Sequence, residues 1–200
     1  MATPKSQRIG IWIIAIVMII GTVGSFAVMV LANQNAKIDQ AQQAKLYAEY
    51  QKQVAEQQKQ TDQQTADLSN KYYPVFSTYL STPAAFDGSS VGDKITTNDL
   101  KQGDGATITK DTKYQAYYIG WNPKGKTFDS SFDGTKLKAP LDTSVMNVIS
   151  GWQTGVVGMK VGGIRELTIP SELAYGDKGS GNDIPPNTPI KFVVMIIATK

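Results

Sequence analysis

Residues 9–36 limit most strongly what this chain can fold into, because they contain no charged side chain and are apolar nearly throughout. About 24 apolar residues in a helix span roughly 36 Å, which is enough to cross the ~30 Å hydrocarbon core of a bilayer. A cleavable signal peptide is the alternative, but its apolar region is usually about 7–15 residues long. The sequence therefore predicts an uncleaved transmembrane helix over residues 9–33.

The charges beside this segment predict its orientation. Lys5 and Arg8 precede it with no acidic residue, whereas the flank that follows, residues 37–72, is balanced in charge. Basic residues are retained on the cytoplasmic side of a membrane. We therefore expect residues 1–8 in the cytoplasm and the chain after the helix outside it, at the cell surface or in the periplasm.

Residues 34–71 are predicted to form a helical stalk. The stretch 37–70 lacks Gly and Pro and is rich in Ala, Gln, Lys and Glu, which favour helices. A heptad register gives four apolar residues at the seam positions Tyr47, Tyr50, Val54, Gln57, Thr61, Gln64 and Leu68, a weak coiled-coil signal. Two interpretations stay open: a solvated stalk about 50 Å long, and a helix that pairs two copies of the chain as a homodimer.

Residues 72–93 contain Pro74 and Pro83 and are predicted to be a connector with one short helix at Val75–Leu80. Over residues 94–200 the pattern changes to strand-like runs between turns, with one predicted helix. The apolar stripe of that helix is Leu141, Val145, Val148, Ile149, Trp152 and Val156. Strands around a single helix predict an α+β domain in which an antiparallel sheet wraps around that helix.

The last predicted strand is apolar on both faces. Ile190, Phe192, Val194 and Ile196 share one face, and Val193, Met195 and Ile197 share the other. Because a strand at the edge or surface of a sheet would alternate with polar residues, this pattern predicts an inner strand.

Composition excludes several kinds of site. The chain has no cysteine and no histidine, which removes disulfides, thiol nucleophiles, Cys/His zinc sites and histidine-dependent catalytic triads. The net charge is only +3 and no large basic face is apparent, so nucleic acid is not an expected partner. No cofactor and no metal are expected.

Three segments of the C-terminal half resemble one family. They are "YYIGWNPKGKTFDSSF" (Tyr117–Phe132), "VISGWQTGVVGMKVGG" (Val148–Gly163) and "LTIPSELAYGDKGSGNDIPPNTPIKFVV" (Leu167–Val194). In order and spacing they resemble the FKBP-type peptidyl-prolyl cis-trans isomerases over residues 98–200, and the whole chain resembles a membrane-anchored bacterial type. The resemblance implies an antiparallel sheet around one helix, an apolar pocket between them, and proline-containing polypeptides as substrates.

The resemblance also implies roles for individual residues. It implies Tyr118, Asp129, Ile149 and Tyr175 as catalytic residues, and Phe128, Val148, Trp152, Ile184 and Phe192 as substrate-binding residues. Trp152 would form the pocket floor beneath the proline ring, and Asp129 would lie near the reacting carbonyl. The backbone N–H of Ile149 and the hydroxyl of Tyr175 would bind the substrate backbone. The Gly-rich stretch after Tyr175 would form a flap over the site.

Such a site can work without a nucleophile or a metal. Rotation about an X–Pro bond crosses a barrier of about 20 kcal/mol in about 10–100 s, and no covalent bond changes. The twisted imide is less polar than the planar one, so a dry aromatic pocket favours it. An acceleration of about 10³–10⁵ requires only about 4–7 kcal/mol. We expect an isomerase that assists the folding of extracytoplasmic proteins.

The chain departs from the family pattern in several places. Residues 133–140 contain no arginine of the kind that commonly partners the pocket aspartate. The family pattern has one further aromatic residue in the pocket, and three residues of this chain could occupy its position: Leu137, Ala139 and Leu141. Asp183 places a charge at the apolar rim, from which we expect weaker macrolide binding and modest turnover. These departures keep an alternative open: a non-enzymatic module, tethered to the membrane, that binds proline-containing peptides or acts as a chaperone.

Overall fold

The computed structural model describes residues 40–200. The predicted cytoplasmic segment, the predicted transmembrane helix and the first residues of the stalk lie outside the described residues. Within residues 40–200, no helix is both long enough and apolar enough to cross a bilayer. The described chain divides into two compact units, with the boundary between Thr61 and Asp62.

Helix α1 (Gln40–Phe76) contains the boundary between the two units. The helical stalk predicted from composition is therefore confirmed in its described part. The helix also continues through Pro74, which was expected in a connector, and is followed by a 3-10 turn at Ser77–Tyr79. A proline removes one helical hydrogen bond and clashes with the preceding turn, and α1 ends shortly after it.

The second unit contains an antiparallel sheet. Its strands are β1 (Thr96–Lys101), β2 (Lys113–Trp121), β3 (Thr127–Ser130), β6 (Leu141–Ser144), β7 (Ile164–Ile169) and β8 (Ile190–Thr199). The strand order is β1-β7-β8-β2-β3, and β6 pairs with β2. Strands β4 (Phe132–Asp133) and β5 (Lys136–Leu137) form a separate two-stranded hairpin.

Strand β8 lies between β7 and β2, which confirms the predicted inner strand. Its alternate side chains enter two different cores. On one face Ile190, Phe192, Val194 and Ile196 join the inner core, which also contains side chains of helix α2 (Ser150–Gly155). On the other face Val193, Met195 and Ile197 join a second set, the outer core. The predicted α+β fold, an antiparallel sheet packed on one helix, is confirmed.

Helix α2 is shorter than the predicted apolar stripe. Leu141 lies in β6 opposite Ala116, and a 3-10 turn follows at Val145–Asn147. Val148 is extended, with φ −119° and ψ 170°, as β-branched residues favour. The helix therefore begins only at Ser150.

The outer core is covered by the end of α1. Its buried members are Phe76, Tyr117, Ile119, Trp121, Phe132, Leu137, Ile164, Val193, Met195 and Ile197, and Leu68, Tyr72, Tyr73 and Tyr79 pack against them. The ring of Phe76 stacks on that of Phe132, with centroids 5.2 Å apart and 5° between the planes. Part of the predicted stalk and connector thus belongs to the folded second unit.

Candidate active site

Four aromatic side chains of the inner core meet edge to face. The ring centroids are 5.2 Å apart for Trp152 and Phe192, 5.4 Å for Phe128 and Phe192, and 5.5 Å for Tyr118 and Trp152. The interplanar angles lie between 71° and 88°, an arrangement that aromatic rings favour. We call these four residues the aromatic cluster. They come from β2, β3, α2 and β8, so the fold brings together all three of the sequence segments that carried the resemblance.

Gly120 makes this cluster possible. It pairs with Phe192 across strands β2 and β8. A Cβ atom at Gly120 would lie 2.4 Å from Cε1 of Phe192 and 2.8 Å from Cζ of Phe128, so a larger residue would displace these rings. Sequence reasoning missed Gly120. The available signal was a glycine inside an apolar strand, which often marks a close approach.

Trp152 lies beneath its neighbours and is 4% exposed. Its Nε1 is buried and has no hydrogen-bond partner among residues 40–200. Two cavities in the same part of the chain, of about 220 and 40 Å³, are not lined by any residue of the aromatic cluster. A proline ring that is to lie flat on the indole must therefore displace a neighbouring side chain.

Asp129 lies at the edge of the cluster and is held by two donors. The hydroxyl of Tyr118 donates a hydrogen bond of 2.6 Å to Oδ2, and the backbone N–H of Ser130 donates one of 2.9 Å to Oδ1. Hydrogen bonds to a carboxylate are short and strong. The carboxylate is thus oriented without the arginine that the family pattern led us to expect.

The predicted rim residues pack against the inner core. Val148, Ile149 and Tyr175 are partly buried against it, and Ile184 is one of its buried members. Ile149 is the residue that precedes the first turn of α2, and the side chain of Gln153 donates a 2.9 Å hydrogen bond to the carbonyl of Val148. These contacts fix the start of the helix on which Trp152 lies.

The predicted flap closes on itself and is fastened to the β2–β3 turn. The backbone N–H of Ser180 donates to the carbonyl of Ile184 at 2.7 Å. The carbonyl of Asp183 accepts from Nδ2 of Asn122 at 2.7 Å, and its carboxylate pairs with Nζ of Lys126 at 2.5 Å. The charge that we expected to weaken the apolar rim therefore has a lysine partner. Asn122 and Lys126 were missed from the sequence, because both stand in an ordinary polar turn.

The three residues that could occupy the position of a further pocket aromatic lie in different surroundings in the structure. Leu141 is partly buried and packs against the inner core, which contains the aromatic cluster. Leu137 is 3% exposed and belongs to the outer core, on the other side of the sheet. Ala139 is exposed. Of the three, only Leu141 packs against the core that contains the aromatic cluster.

Comparison with known proteins identifies the family. Residues 105–197 match the sequence profile of the FKBP-type peptidyl-prolyl cis-trans isomerases. The FK506-binding protein of Neisseria meningitidis serogroup A is 41% identical over 99 residues, which make up 50% of this chain and 90% of that protein. This chain belongs to the FKBP-type peptidyl-prolyl cis-trans isomerase family.

Two further proteins are similar to part of the chain. A probable FK506-binding protein of Corynebacterium glutamicum is 40% identical over 103 residues, or 50% of this chain and 83% of that protein. Among solved structures, the peptidyl-prolyl cis-trans isomerase of Pseudomonas syringae pv. tomato is 30% identical, with a TM-score of 0.48 over 66% of this chain and 95% of that one.

The family consists of enzymes that interconvert the cis and trans forms of X–Pro bonds, so the predicted prolyl isomerase activity is confirmed at that level. The individual roles of the nine site residues stay predictions. The structure places eight of them in or against the inner core. The ninth, Asp129, is bonded to one of the eight, Tyr118.

Proposed function

We propose that this FKBP-type isomerase is anchored in a membrane by residues 9–33 and acts on polypeptides outside the cytoplasm. The uncharged run of residues 9–36 and the basic residues Lys5 and Arg8 before it support this placement. The helix α1, which follows the anchor in sequence, supports a stalk between the anchor and the catalytic domain. The substrates would be secreted or surface proteins whose X–Pro bonds must isomerise during folding.

The proposed chemistry depends on one observation, the aromatic cluster with the Tyr118–Asp129 hydrogen bond at its edge. The proline ring of the substrate enters the cluster and contacts Trp152, which removes water from the imide bond. Because twisting the imide reduces the polarity of its carbonyl, a site of low polarity stabilises the twisted form relative to the planar one. A side chain that moves aside to admit proline completes this enclosure.

Polar groups at the edge of the cluster restrain the substrate. The fixed carboxylate of Asp129 lies near the carbonyl oxygen and disfavours its negative partial charge, which is largest in the planar imide. The N–H of Ile149 and the hydroxyl of Tyr175 bind the backbone on either side of the rotating bond. These contacts orient the substrate backbone in the site while the imide bond twists.

An isomerisation assay on the full chain in mild detergent tests this site. Exchange NMR on a proline-containing peptide should give a rate far above the uncatalysed one. Asp129→Ala and Trp152→Leu should both lose most of the acceleration while their circular dichroism spectra stay unchanged. Thr61→Ala serves as a control, because Thr61 donates only to the carbonyl of Gln57 within α1. Full activity in both site variants would exclude the proposed site.

Cysteine labelling tests the proposed location separately. The chain contains no cysteine, so single cysteines can be introduced at Ser6 and at the exposed Lys110. In intact cells a membrane-impermeant maleimide should label Lys110→Cys and leave Ser6→Cys unmodified until the cells are opened. The reverse labelling pattern, or protection of both sites, would exclude the proposed orientation whatever the enzyme assay gives.

A second use of the stalk is favoured by two exposed apolar side chains. Leu46 and Tyr47 of α1 are 46% and 58% exposed, and burial of such residues against a second copy would stabilise a homodimer. Sedimentation of the full chain in detergent distinguishes this from a monomeric spacer. A mass of one chain at high concentration would exclude pairing through the stalk.

A further inference from the structure

We propose that the end of helix α1 is a positioning element of the isomerase site. In this proposal Ser69 and Phe76 hold the β4–β5 hairpin, and the hairpin in turn holds the strand end that carries Asp129. The inference rests on the proposed role of Asp129 in catalysis. It assigns a functional task to residues that precede the half of the chain shared with the family relatives.

The first step is the contact between helix and hairpin. The side chain of Ser69 is buried, and its Oγ accepts a 2.9 Å hydrogen bond from the backbone N–H of Leu137 in β5. The ring of Phe132 in β4 is stacked on Phe76 and is met edge-on by Tyr73, with centroids 6.2 Å apart. The helix therefore holds both strands of the hairpin.

The hairpin depends on this support. Strands β4 and β5 have two residues each and pair only with each other, not with the main sheet. An isolated two-stranded hairpin is at best marginally stable in water. The packing of Phe132 and Leu137 into the outer core supplies the missing stabilisation.

The second step is the path from the hairpin to Asp129. Ser131, directly before β4, is buried and exchanges two hydrogen bonds with Tyr118: its N–H donates to the carbonyl at 2.8 Å, and its Oγ accepts from the N–H at 2.9 Å. Lys138, directly after β5, donates through its backbone N–H to the carbonyl of Ser131 at 2.8 Å. Its Nζ donates to the carbonyl of Ser130 at 3.0 Å.

Ser130 closes the path, because its N–H is one of the two donors that orient the carboxylate of Asp129. The other donor is the hydroxyl of Tyr118, whose backbone is fixed by Ser131. Residues 133–140 supply no arginine to hold this carboxylate. Its orientation consequently depends on a segment that is anchored, at its far end, on helix α1.

The test compares Ser69→Ala with the unmodified full chain in mild detergent. Loss of one hydrogen bond should speed hydrogen exchange at the Leu137 amide about fivefold and shift the amide resonance of Ser130. Turnover of a proline-containing peptide should fall by a similar factor. Peptide affinity should stay the same, because the aromatic cluster lies in the inner core. Ser69→Thr, which retains the hydroxyl, should restore turnover.

Two further variants sharpen the comparison. Phe76→Leu keeps an apolar side chain but removes the stack on Phe132, and it should change the Ser130 resonance and turnover in the same direction. Thr61→Ala, on the same helix but bonded only within it, should change neither.

The outcomes separate this proposal from the proposed function. Faster exchange at Leu137 with unchanged Ser130 resonance and unchanged turnover would overturn it, as would a loss of affinity and turnover that only follows a fall in global stability. If Asp129→Ala were fully active, the proposed role of Asp129 would fail and this inference would fail with it. If Asp129→Ala were inactive while Ser69→Ala kept full turnover, only the positioning role of the helix would be overturned.

Discussion

The hydroxyl of Tyr118 donates a 2.6 Å hydrogen bond to Oδ2 of Asp129. The two residues lie on the neighbouring strands β2 and β3. Asp129 is paired with Gly120, which is two residues after Tyr118 in β2. The same tyrosine ring forms part of the aromatic cluster. One side chain thus joins the apolar part of the site to its only described carboxylate with a predicted catalytic role.

Tyr118→Phe separates these two contributions. The ring and its aromatic contacts remain, while Asp129 loses one of its two donors. We expect peptide affinity to change little and turnover to fall about tenfold, which corresponds to about 1.4 kcal/mol for a hydrogen bond to a charged group. Exchange NMR measures turnover and titration measures affinity. Tyr79→Phe, outside the site, is the matched control, and an unchanged turnover in Tyr118→Phe would contradict the prediction.

The ion pair between Lys126 and Asp183 should make substrate affinity depend on salt. Nζ of Lys126 is 2.5 Å from the carboxylate, and the lysine side chain is 63% exposed, so the pair contributes no more than about 1 kcal/mol. Lys126→Gln should weaken binding of an apolar proline peptide about two- to fivefold, because the charge beside Ile184 is then less well neutralised.

The double variant Lys126→Gln/Asp183→Asn provides the comparison for that experiment. It should bind the peptide about as well as the unmodified chain, and its affinity should not change between low and high salt. Screening should bring the unmodified chain towards the Lys126→Gln value at high salt. A salt dependence that persists in the double variant would assign it to other charges.

Tyr117 should make the fold sensitive to alkali. Its hydroxyl is buried without a hydrogen-bond partner among the described residues, and burial raises the pKa of this phenol to about 12. The pKa of the same group is about 10 in the unfolded chain. The contribution of Tyr117 to the free energy of unfolding is therefore fully present below pH 10 and is lost as the pH rises towards 12.

Tyr117→Phe removes this group and its pH dependence. In urea unfolding we expect the free energy of unfolding at pH 7 to be unchanged or higher by up to about 1 kcal/mol, since no satisfied hydrogen bond is lost. Between pH 10 and pH 12 the variant should lose less stability than the unmodified chain. The remaining loss is due to Tyr114, whose pKa is also raised by burial. Tyr73→Phe is the control, and a clear destabilisation at pH 7 would show that the Tyr117 hydroxyl has a partner.

A fragment of residues 94–200 should fold poorly, whereas residues 62–200 should unfold cooperatively. The shorter fragment lacks the side chains of α1 that cover the outer core. Loss of Phe76 alone removes about 1.5–3 kcal/mol of burial, out of a total stability of about 5–15 kcal/mol for a domain. Urea unfolding and binding of a hydrophobic dye compare the two fragments. Equal midpoints would mean that the helix contributes no stability.

Much of the catalytic half could be predicted from the sequence. The alternation in residues 190–197 gave both faces of β8 and its inner position, because burial leaves a direct mark on composition. The positions of Trp152 and Phe192 followed from motifs with a fixed spacing. The length of α2 did not, since a stripe with helical spacing also fits a strand, a 3-10 turn and a short helix in succession.

The role of α1 could not be predicted. Tyr72, Tyr73 and Phe76 follow a long polar stretch and surround Pro74, a pattern that indicates the end of a helix. Only the outer face of the sheet explains why they are aromatic. The Asn122 and Lys126 contacts with Asp183 were equally hidden, because they join segments about 60 residues apart in sequence through an ordinary turn.

Because both faces of β8 are apolar over most of its length, hydrophobic patterning constrains its register less than in most strands. In a strand with one solvent-exposed face, a register shift of one residue would expose apolar side chains to water and is therefore unfavourable. Over residues 192–197 such a slip would exchange one buried apolar set for the other, so burial of apolar side chains opposes it less in β8. Packing also opposes this register shift. It would place Val193 instead of Phe192 opposite Gly120 and leave a cavity beside the Trp152 indole. Gly120 and Phe192, which meet at the candidate site, therefore also favour the correct register of β8.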